Sequence, residues 1–359
     1  MTKPFVSVLI DTFNHERFIE QAIASVLEQD FPAADREILV VDDGSTDSTA
    51  EIVRKFAPKV RLLQKPNGGQ GSAFNAGIPE CRGEVVAFLD GDDWWAKKKL
   101  SCVVPVLAAN PEIGMVGHGT VKVLPDGREF TEVLKEDHRF SLRSLQGAQL
   151  FERRKSFLGT RTTIRTEILR KLLPVPEAIR IEADEFVFTM AAALGEVEIL
   201  PEALFFYRLH ARNFFSQHGF QAASVKRKHE SLVQLAASLA ERLPATGINP
   251  SATELLVRGV QVEADQLRLS VESGLPWETV KTELAMYRIL YSRPPLGHRL
   301  FKYITLLPAY FVPPRTYYSA RRNLAGSHWY RRLRRVFFPI PTPRHVDHSY
   351  NHEALNDRG

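Results

Sequence analysis

The stretch Val85-Val86-Ala87-Phe88-Leu89-Asp90-Gly91-Asp92-Asp93 constrains this chain more than any other. Its apolar run, rich in Val, Phe and Leu, predicts a buried strand that ends abruptly in acids. Packing does not ask for acids there. Carboxylates crowded at a strand end repel one another and raise one another's pKa unless a cation sits among them. Mg²⁺ and Mn²⁺ prefer oxygen ligands and share carboxylates with a substrate's phosphates, so Asp90 and Asp92 are candidate metal ligands. An acidic surface turn is the competing reading.

The preceding chain repeats the pattern. Residues 5–10 predict a first strand, with Asp11-Thr12-Phe13-Asn14 in the loop at its C-terminal end. Phe18, Ile19, Ala22, Ile23, Val26 and Leu27 recur at helical spacing until Phe31-Pro32. Residues 38–41 predict a second strand, and in the turn Asp42-Asp43-Gly44-Ser45-Thr46-Asp47 the Ser and Thr are placed to cap a helix over 48–56. A third strand over 60–63, a glycine-rich loop over 67–71 and a short helix over 72–78 follow. Alternation of this kind predicts an α/β fold with a doubly wound, mostly parallel sheet. Such sheets bind ligands outside the carboxyl ends of their strands. Asp11, Asp43 and Asp90 to Asp93 all fall at those ends, so acids far apart in sequence should meet in one crevice.

The motifs Val6-Ser7-Val8-Leu9-Ile10, Val41-Asp42-Asp43-Gly44-Ser45-Thr46-Asp47, Lys65-Pro66-Asn67-Gly68-Gly69-Gln70-Gly71-Ser72-Ala73-Phe74-Asn75-Ala76-Gly77 and Leu89-Asp90-Gly91-Asp92-Asp93 together resemble the family 2 glycosyltransferases. Members are inverting enzymes of GT-A fold that use nucleotide-diphosphate sugars, and the resemblance covers about the first 110 residues. It implies that Asp43 hydrogen-bonds the donor's base, usually uracil, that Asp11 borders that base, and that Asn67, Gly68 and Gly69 line the donor site. It further implies that Asp90 faces ribose and metal, and that Asp92 ligates a Mn²⁺ or Mg²⁺ bridging the diphosphate. Asp42, Asp47 and Asp93 read equally well as turn and capping acids. One departure stands out: Phe74 occupies a position where many members carry Arg.

Inversion requires a base on the face of the sugar opposite the leaving diphosphate. Within Ile181-Glu182-Ala183-Asp184-Glu185-Phe186 the pair Asp184-Glu185 resembles the family's acidic pair before a helix, and the base is Glu185 or Asp184. Phe205-Phe206-Tyr207-Arg208-Leu209-His210 resembles the Tyr-Arg-x-His element, which makes His210 a further candidate ligand of metal or diphosphate. Trp94 and Trp95 are acceptor-side candidates, with core packing as the alternative. The Lys97-Lys98-Lys99 run reads as a solvated helix face.

The catalytic unit is expected over 1–220. Helical periodicity over 222–243, 253–271 and 277–291 predicts a small helical domain, 221–295, that packs on the catalytic part or mediates self-association into a homo-oligomer. The net charge of +5 is concentrated further on. Residues 299–335 hold nine Lys/Arg and no acid, interleaved with Phe301, Tyr303, Ile304, Leu306, Leu307, Tyr310, Phe311 and Val312. Segment 296–338 therefore reads as a basic amphipathic element for an anionic membrane surface, with a helix docked on the protein's own core as the main alternative and nucleic acid as a lesser one, and 339–359 as a polar tail.

With 44% hydrophobic and 25% charged residues the chain is of ordinary globular type. Its two cysteines, Cys81 and Cys102, form no disulfide framework, and neither a signal peptide nor a spanning segment is evident, so a cytoplasmic place, peripheral on the inner face of the cell membrane, is expected. The resulting expectation is a bacterial, metal-dependent transferase moving sugar from a UDP-sugar, or another nucleotide-diphosphate sugar, to a glycan or lipid-linked acceptor in surface polysaccharide synthesis. A non-catalytic scaffold of the same fold and a sugar-nucleotide nucleotidyltransferase are the alternatives.

Overall fold

A computed structural model describes residues 5–210, 222–291 and 294–325. In chain order the elements are β1 (Val6–Thr12), α1 (Ile19–Leu27), β2 (Arg36–Asp42), α2 (Thr49–Arg54), β3 (Arg61–Gln64), α3 (Gln70–Gly77), β4 (Val85–Asp90), β5 (Trp94–Trp95), α4 (Lys99–Ala109), β6 (Ile113–Val123), β7 (Glu129–Glu132) and β8 (His138–Phe140). They continue with α5 (Leu145–Arg154), β9 (Thr163–Arg165), α6 (Thr166–Leu172), α7 (Ala183–Leu194), β10 (Glu196–Arg208), α8 (Ala222–Arg242), α9 (Pro250–Leu269), α10 (Pro276–Leu290), α11 (Leu296–Leu306) and α12 (Pro314–Ala325).

The sheet runs β3-β2-β1-β4-β9-β6-β10-β5, with β7 on β6 and β8 on β10. Its first four strands are the parallel half read from the sequence. Beyond β4 the sheet is mixed: β9 is antiparallel to both β4 and β6, and β6 is parallel to β10. Alternate residues of β1 and β4 feed opposite layers. Leu9, Val86 and Phe88 join the core under α3, α7 and α8, whereas Val8, Ile10, Val85, Ala87 and Leu89 join that under α1 and α4. Burial of both faces explains why these strands read as continuous apolar runs.

The sharp bend after β2 is braced by its neighbour. Asp47, rather than Ser45 or Thr46, caps α2 by accepting from Thr49 N, and its other oxygen takes Glu16 N. Asn14 N donates to Ser45 Oγ and His15 N to Thr49 Oγ1, so the two loops beyond β1 and β2 hold one another.

The helical region packs on the catalytic part, one of the two roles expected for it. Leu232, Leu235 and Leu239 of α8 and Leu256 and Val260 of α9 lie in the same apolar core as β1, β4 and α7. Among the described residues, α10 to α12 have a small cluster of their own, Val280, Leu306, Ala309 and Tyr317. The second basic aromatic stretch, Trp329 to Phe338, and the tail 339–359 lie outside the described residues. No helix among the described residues is long and apolar enough to cross a membrane.

Because the core is shared, truncating a fully buried α8 side chain should weaken the whole catalytic unit. Leu239→Ala is expected to lower stability by about 3 kcal/mol, and urea unfolding followed by far-UV and near-UV circular dichroism should show one coincident transition.

Candidate active site

The C-terminal ends of β1, β2 and β4 bring the predicted acids together, beginning with Asp43 just past β2. Its carboxylate accepts from Lys65 Nζ at 2.6 Å, Asn67 Nδ2 at 3.1 Å, Gly68 N at 3.0 Å and Gly69 N at 2.7 Å. With both oxygens committed and only 4% of the residue exposed, Asp43 shapes the glycine-rich loop. The loop then hands on to the rest of the site through Gln70, whose Nε2 faces Asp90 Oδ1 at 3.5 Å and whose Oε1 accepts from Asp184 N at 3.3 Å.

Asp11 and Asp90 are register partners on adjacent strands. Burial, then the charges of Asp90 and Asp184, hold Asp11 well above the usual carboxylate range, which makes it the proton-bearing partner of Asp90. Asp90 accepts from Thr160 Oγ1 at 2.6 Å. Burial and the charge of Asp92 push it up to about 6. Asp92 behaves differently: burial raises it, but the His210 hydrogen bond and the charges of His15 and His210 bring it below its ordinary value. Its Oδ2 lies 3.0 Å from His210 Nε2 and 3.8 Å from His15 Nε2. Asp93 accepts from Arg208 N at 2.7 Å, and burial, with Asp92 and Asp90, raises it strongly. Gly91 is required between these acids, since a Cβ there would stand 2.5 Å from Thr12 Oγ1 and 2.9 Å from His15 Nδ1.

Ligand oxygens of Asp90, Asp92 and Asp93 lie within 4.8 Å of one another. Asp93 Oδ2 and Asp11 Oδ1 are buried without a hydrogen-bond partner. Carboxylates joined by an imidazole form a donor set suited to Mn²⁺ or Mg²⁺, and the orphaned oxygens mark a cluster short of positive charge. The residues therefore fit a divalent cation.

Asp184 and Glu185, in the first turn of α7, point to different surroundings. Asp184 lines a small cavity with Phe74, Phe88, Thr160, Thr162, Val187 and Phe188. Burial against these walls, followed by the charges of Asp90 and Glu185, pushes it up to about 7. Gly159 (φ +94°) faces it, where a Cβ would come 3.0 Å from Asp184 Oδ2. Glu185 instead accepts from Lys155 Nζ at 2.8 Å. Lys155 also faces Glu152 at 3.7 Å and Glu263 at 3.6 Å, and Lys228 pairs with Glu182 and faces Glu263 at 3.6 Å. Burial pushes Glu152 and Glu182 up to about 7, while the lysines hold Glu263 low against its own burial. This network ties the start of α7 to α8 and α9.

On the far side, Arg208 donates from Nε to Asp92 O at 2.9 Å and lies over the rings of Phe18 and Trp94. Trp94 is half-buried and stacks on Phe206 with centroids 5.1 Å apart. Trp95 is not an acceptor-side residue: it is 3% exposed, packed in the core, with Lys99 Nζ 4.0 Å above its ring. Nor is Lys99 on a solvated face. It is fully buried and donates to Arg161 O at 2.9 Å, because α4 turns this position onto the sheet. Phe74 is also core, edge-on to Phe88. Sequence reading missed His15, Gln70, Thr160 and Lys155. His15 was within reach as an imidazole just past the first acid and Gln70 as a polar member of the glycine-rich motif; Thr160 and Lys155 carry no motif.

Comparison with known proteins decides the family. The family described as glycosyl transferase family 2 matches residues 7–173. An uncharacterized glycosyltransferase, alr2836, of Nostoc sp. is 34% identical over 239 residues, 64% of this chain and 71% of that protein. The chain belongs to the family 2 glycosyltransferases. TarS of Staphylococcus aureus, named a poly(ribitol-phosphate) beta-N-acetylglucosaminyltransferase, is 40% identical to this glycosyltransferase over 98 residues, 26% of this chain and 17% of TarS. The structure of TarS 1–349 in complex with UDP-GlcNAc superposes with a TM-score of 0.60 at 21% identity, covering 89% of this chain and 91% of that one. A mannosyltransferase from Pyrobaculum calidifontis in complex with GDP-Man and Mn²⁺ gives 0.54 at 21% identity, covering 94% and 85%. These likenesses establish the GT-A fold.

Removing Lys155 would leave Glu152, Glu185 and Glu263 without their shared cation. Lys155→Met is expected to cost about 3 kcal/mol of stability. The stranded carboxylates would hold protons in the folded state that they release when unfolded, so this loss should be larger at pH 8 than at pH 6, as measured by urea titration at both.

Proposed function

We propose that this glycosyltransferase transfers a sugar, with inversion, from a UDP-sugar to a hydroxyl of a glycan or lipid-linked acceptor, using Mn²⁺ or Mg²⁺ and Asp184 as the base. The observation that carries the reading is the different fate of the two neighbouring acids. Asp184 has its carboxyl on the site side, next to Asp90 and held near neutrality, whereas Glu185 is turned away into an ion pair with Lys155. A base poised near the working pH takes up a proton most effectively.

The roles follow from placement. Asn67, Gly68 and Gly69, held by Asp43, form the donor-side loop, and Asp11, the register partner of Asp90, would border the base. Asp92 with Asp90 and His210 would hold the metal, and Asp93, buried behind them and fixed to Arg208 N, sets the turn. When bound, the divalent cation supplies the positive charge that offsets the charge growing on the leaving diphosphate. Asp184 Oδ2 accepts the proton of the acceptor hydroxyl, and Glu185, through Lys155, fixes the orientation of the helix turn that carries it. Support for a nucleotide-sugar donor comes from TarS, crystallised with UDP-GlcNAc, and support for a metal from the mannosyltransferase crystallised with Mn²⁺.

Asp184→Asn should lower kcat by about 10³-fold while UDP affinity stays within a factor of about two, measured by turnover and calorimetry. Glu185→Gln should lower kcat about tenfold. An Asp184→Asn enzyme that retains full turnover would remove Asp184 as base. In the metal-loaded wild type, the rate should fall tenfold per pH unit on the acid side, because a protonated Asp184 accepts nothing, and that limb should lie below 7 because a cation beside Asp90 offsets the charge that raises Asp184.

Linkage offers a second check. Asp11, Asp90, Asp93 and Asp184 all titrate higher when folded than their unfolded value near 4. The folded state thus binds more protons, and metal-free stability falls as pH rises from about 4 to 7. Mn²⁺ should raise the melting temperature more at pH 7.5 than at pH 5.5, and Asp92→Asn should abolish most of that rise.

A further inference from the structure

The unit formed by α11, the turn after it and α12 lies beyond the 7–173 family match and outside the active site. Leu296, Leu300, Ile304, Leu307 and Phe311 follow one another at steps of three and four, so they share one side of α11 and its continuation into the turn. All five are exposed, from 54% for Leu300 to 69% for Leu296 and 81% for Phe311. Tyr303 and Tyr310 flank them, equally exposed. The opposite side is the anchored one: Leu306 and Ala309 are buried against Val280 and Tyr317. An apolar side of this extent is not the scattered exposure ordinary for a soluble surface.

Charge selects the occupant. Residues 294–338 contain no Asp or Glu and nine Lys or Arg. Arg299, next to Leu300 on α11, and Arg315, at the start of α12, are exposed. The nearest buried acid, Glu283, is already neutralised by Lys302 and Arg321. A protein partner of ordinary composition gains nothing from so uniform a sign. A surface that is apolar inside and anionic at its rim matches both properties, with aromatic rings at the boundary where Tyr is favoured.

We propose that α11 and the following turn dock on the anionic surface of a lipid bilayer, with Leu300, Ile304, Leu307 and Phe311 entering the headgroup boundary and Arg299 and Arg315 meeting lipid phosphates. This goes beyond the donor and acceptor reading and does not depend on it.

The full chain is to be sedimented with vesicles of phosphatidylcholine alone and of phosphatidylcholine with phosphatidylglycerol. Binding is expected to the anionic vesicles, weaker to the neutral ones, and reduced by salt. Ile304→Ser with Phe311→Ser should lower the partition coefficient about tenfold or more, and Arg299→Glu with Arg315→Glu should remove the preference for anionic lipid. UDP titration and circular dichroism on the same samples should be unchanged, since these side chains touch neither core nor site. No sedimentation with anionic vesicles, or sedimentation indifferent to the serine pair, overturns the proposal. So does concentration-dependent self-association in sedimentation velocity that the serine pair abolishes while vesicle binding persists, which would assign the face to a second copy.

Discussion

Repulsion among carboxylates at one edge of the sheet governs the rest of this molecule. Asp11, Asp90, Asp92, Asp93 and Asp184 share a buried corner in which three of them adjoin on consecutive or neighbouring positions. Such a corner is unstable unless positive charge, protons or hydrogen-bond donors compensate it. Each form of compensation is present. Thr160 donates to Asp90, His210 and His15 attend Asp92, Arg208 N holds Asp93, and Asp11 and Asp184 retain protons toward neutral pH. Asp93 Oδ2 and Asp11 Oδ1 remain buried without a hydrogen-bond partner.

The same logic separates two acids that sequence alone leaves equivalent. Asp184 and Glu185 differ by one position on a helix, about 100° of rotation, and that rotation sends one carboxyl toward Asp90 and the other toward Lys155. The partner lysine is in turn shared with Glu152 on α5 and Glu263 on α9, so the orientation of α7 rests on helices that a family resemblance in the first 110 residues does not reach. A region that reads as an appendage is part of the framework of the site.

Much of the half built on β1 to β4 was legible. Its strands are buried on both faces and announce themselves as apolar runs, and its turns carry Gly, Asp and Ser for reasons local to each turn. Asp43 shows the limit of that reading: its position was right, but its carboxylate turns out to be consumed by Lys65 and the Asn67 to Gly69 loop. The half built on β6, β9 and β10 was not legible, because antiparallel insertion of β9 between β4 and β6 depends on contacts between residues far apart in sequence, such as Val85 with Arg165 and Met115 with Ile164. Lys99 was misread for a related reason, since a charge run says nothing about which way α4 faces, and of the two readings left open for Trp95 on β5 the packing gives core.

The sequence by itself determined the strand-and-turn pattern, the acids at the strand ends and the family, because these reside in local spacing and in residue types that chemistry cannot exchange. Tertiary structure decided which of Asp184 and Glu185 is held in an ion pair, which aromatic ring is core, and which side of α11 stays exposed. Each of those depends on the rotation of one element against another, and packing energy, summed over the whole core, sets that rotation.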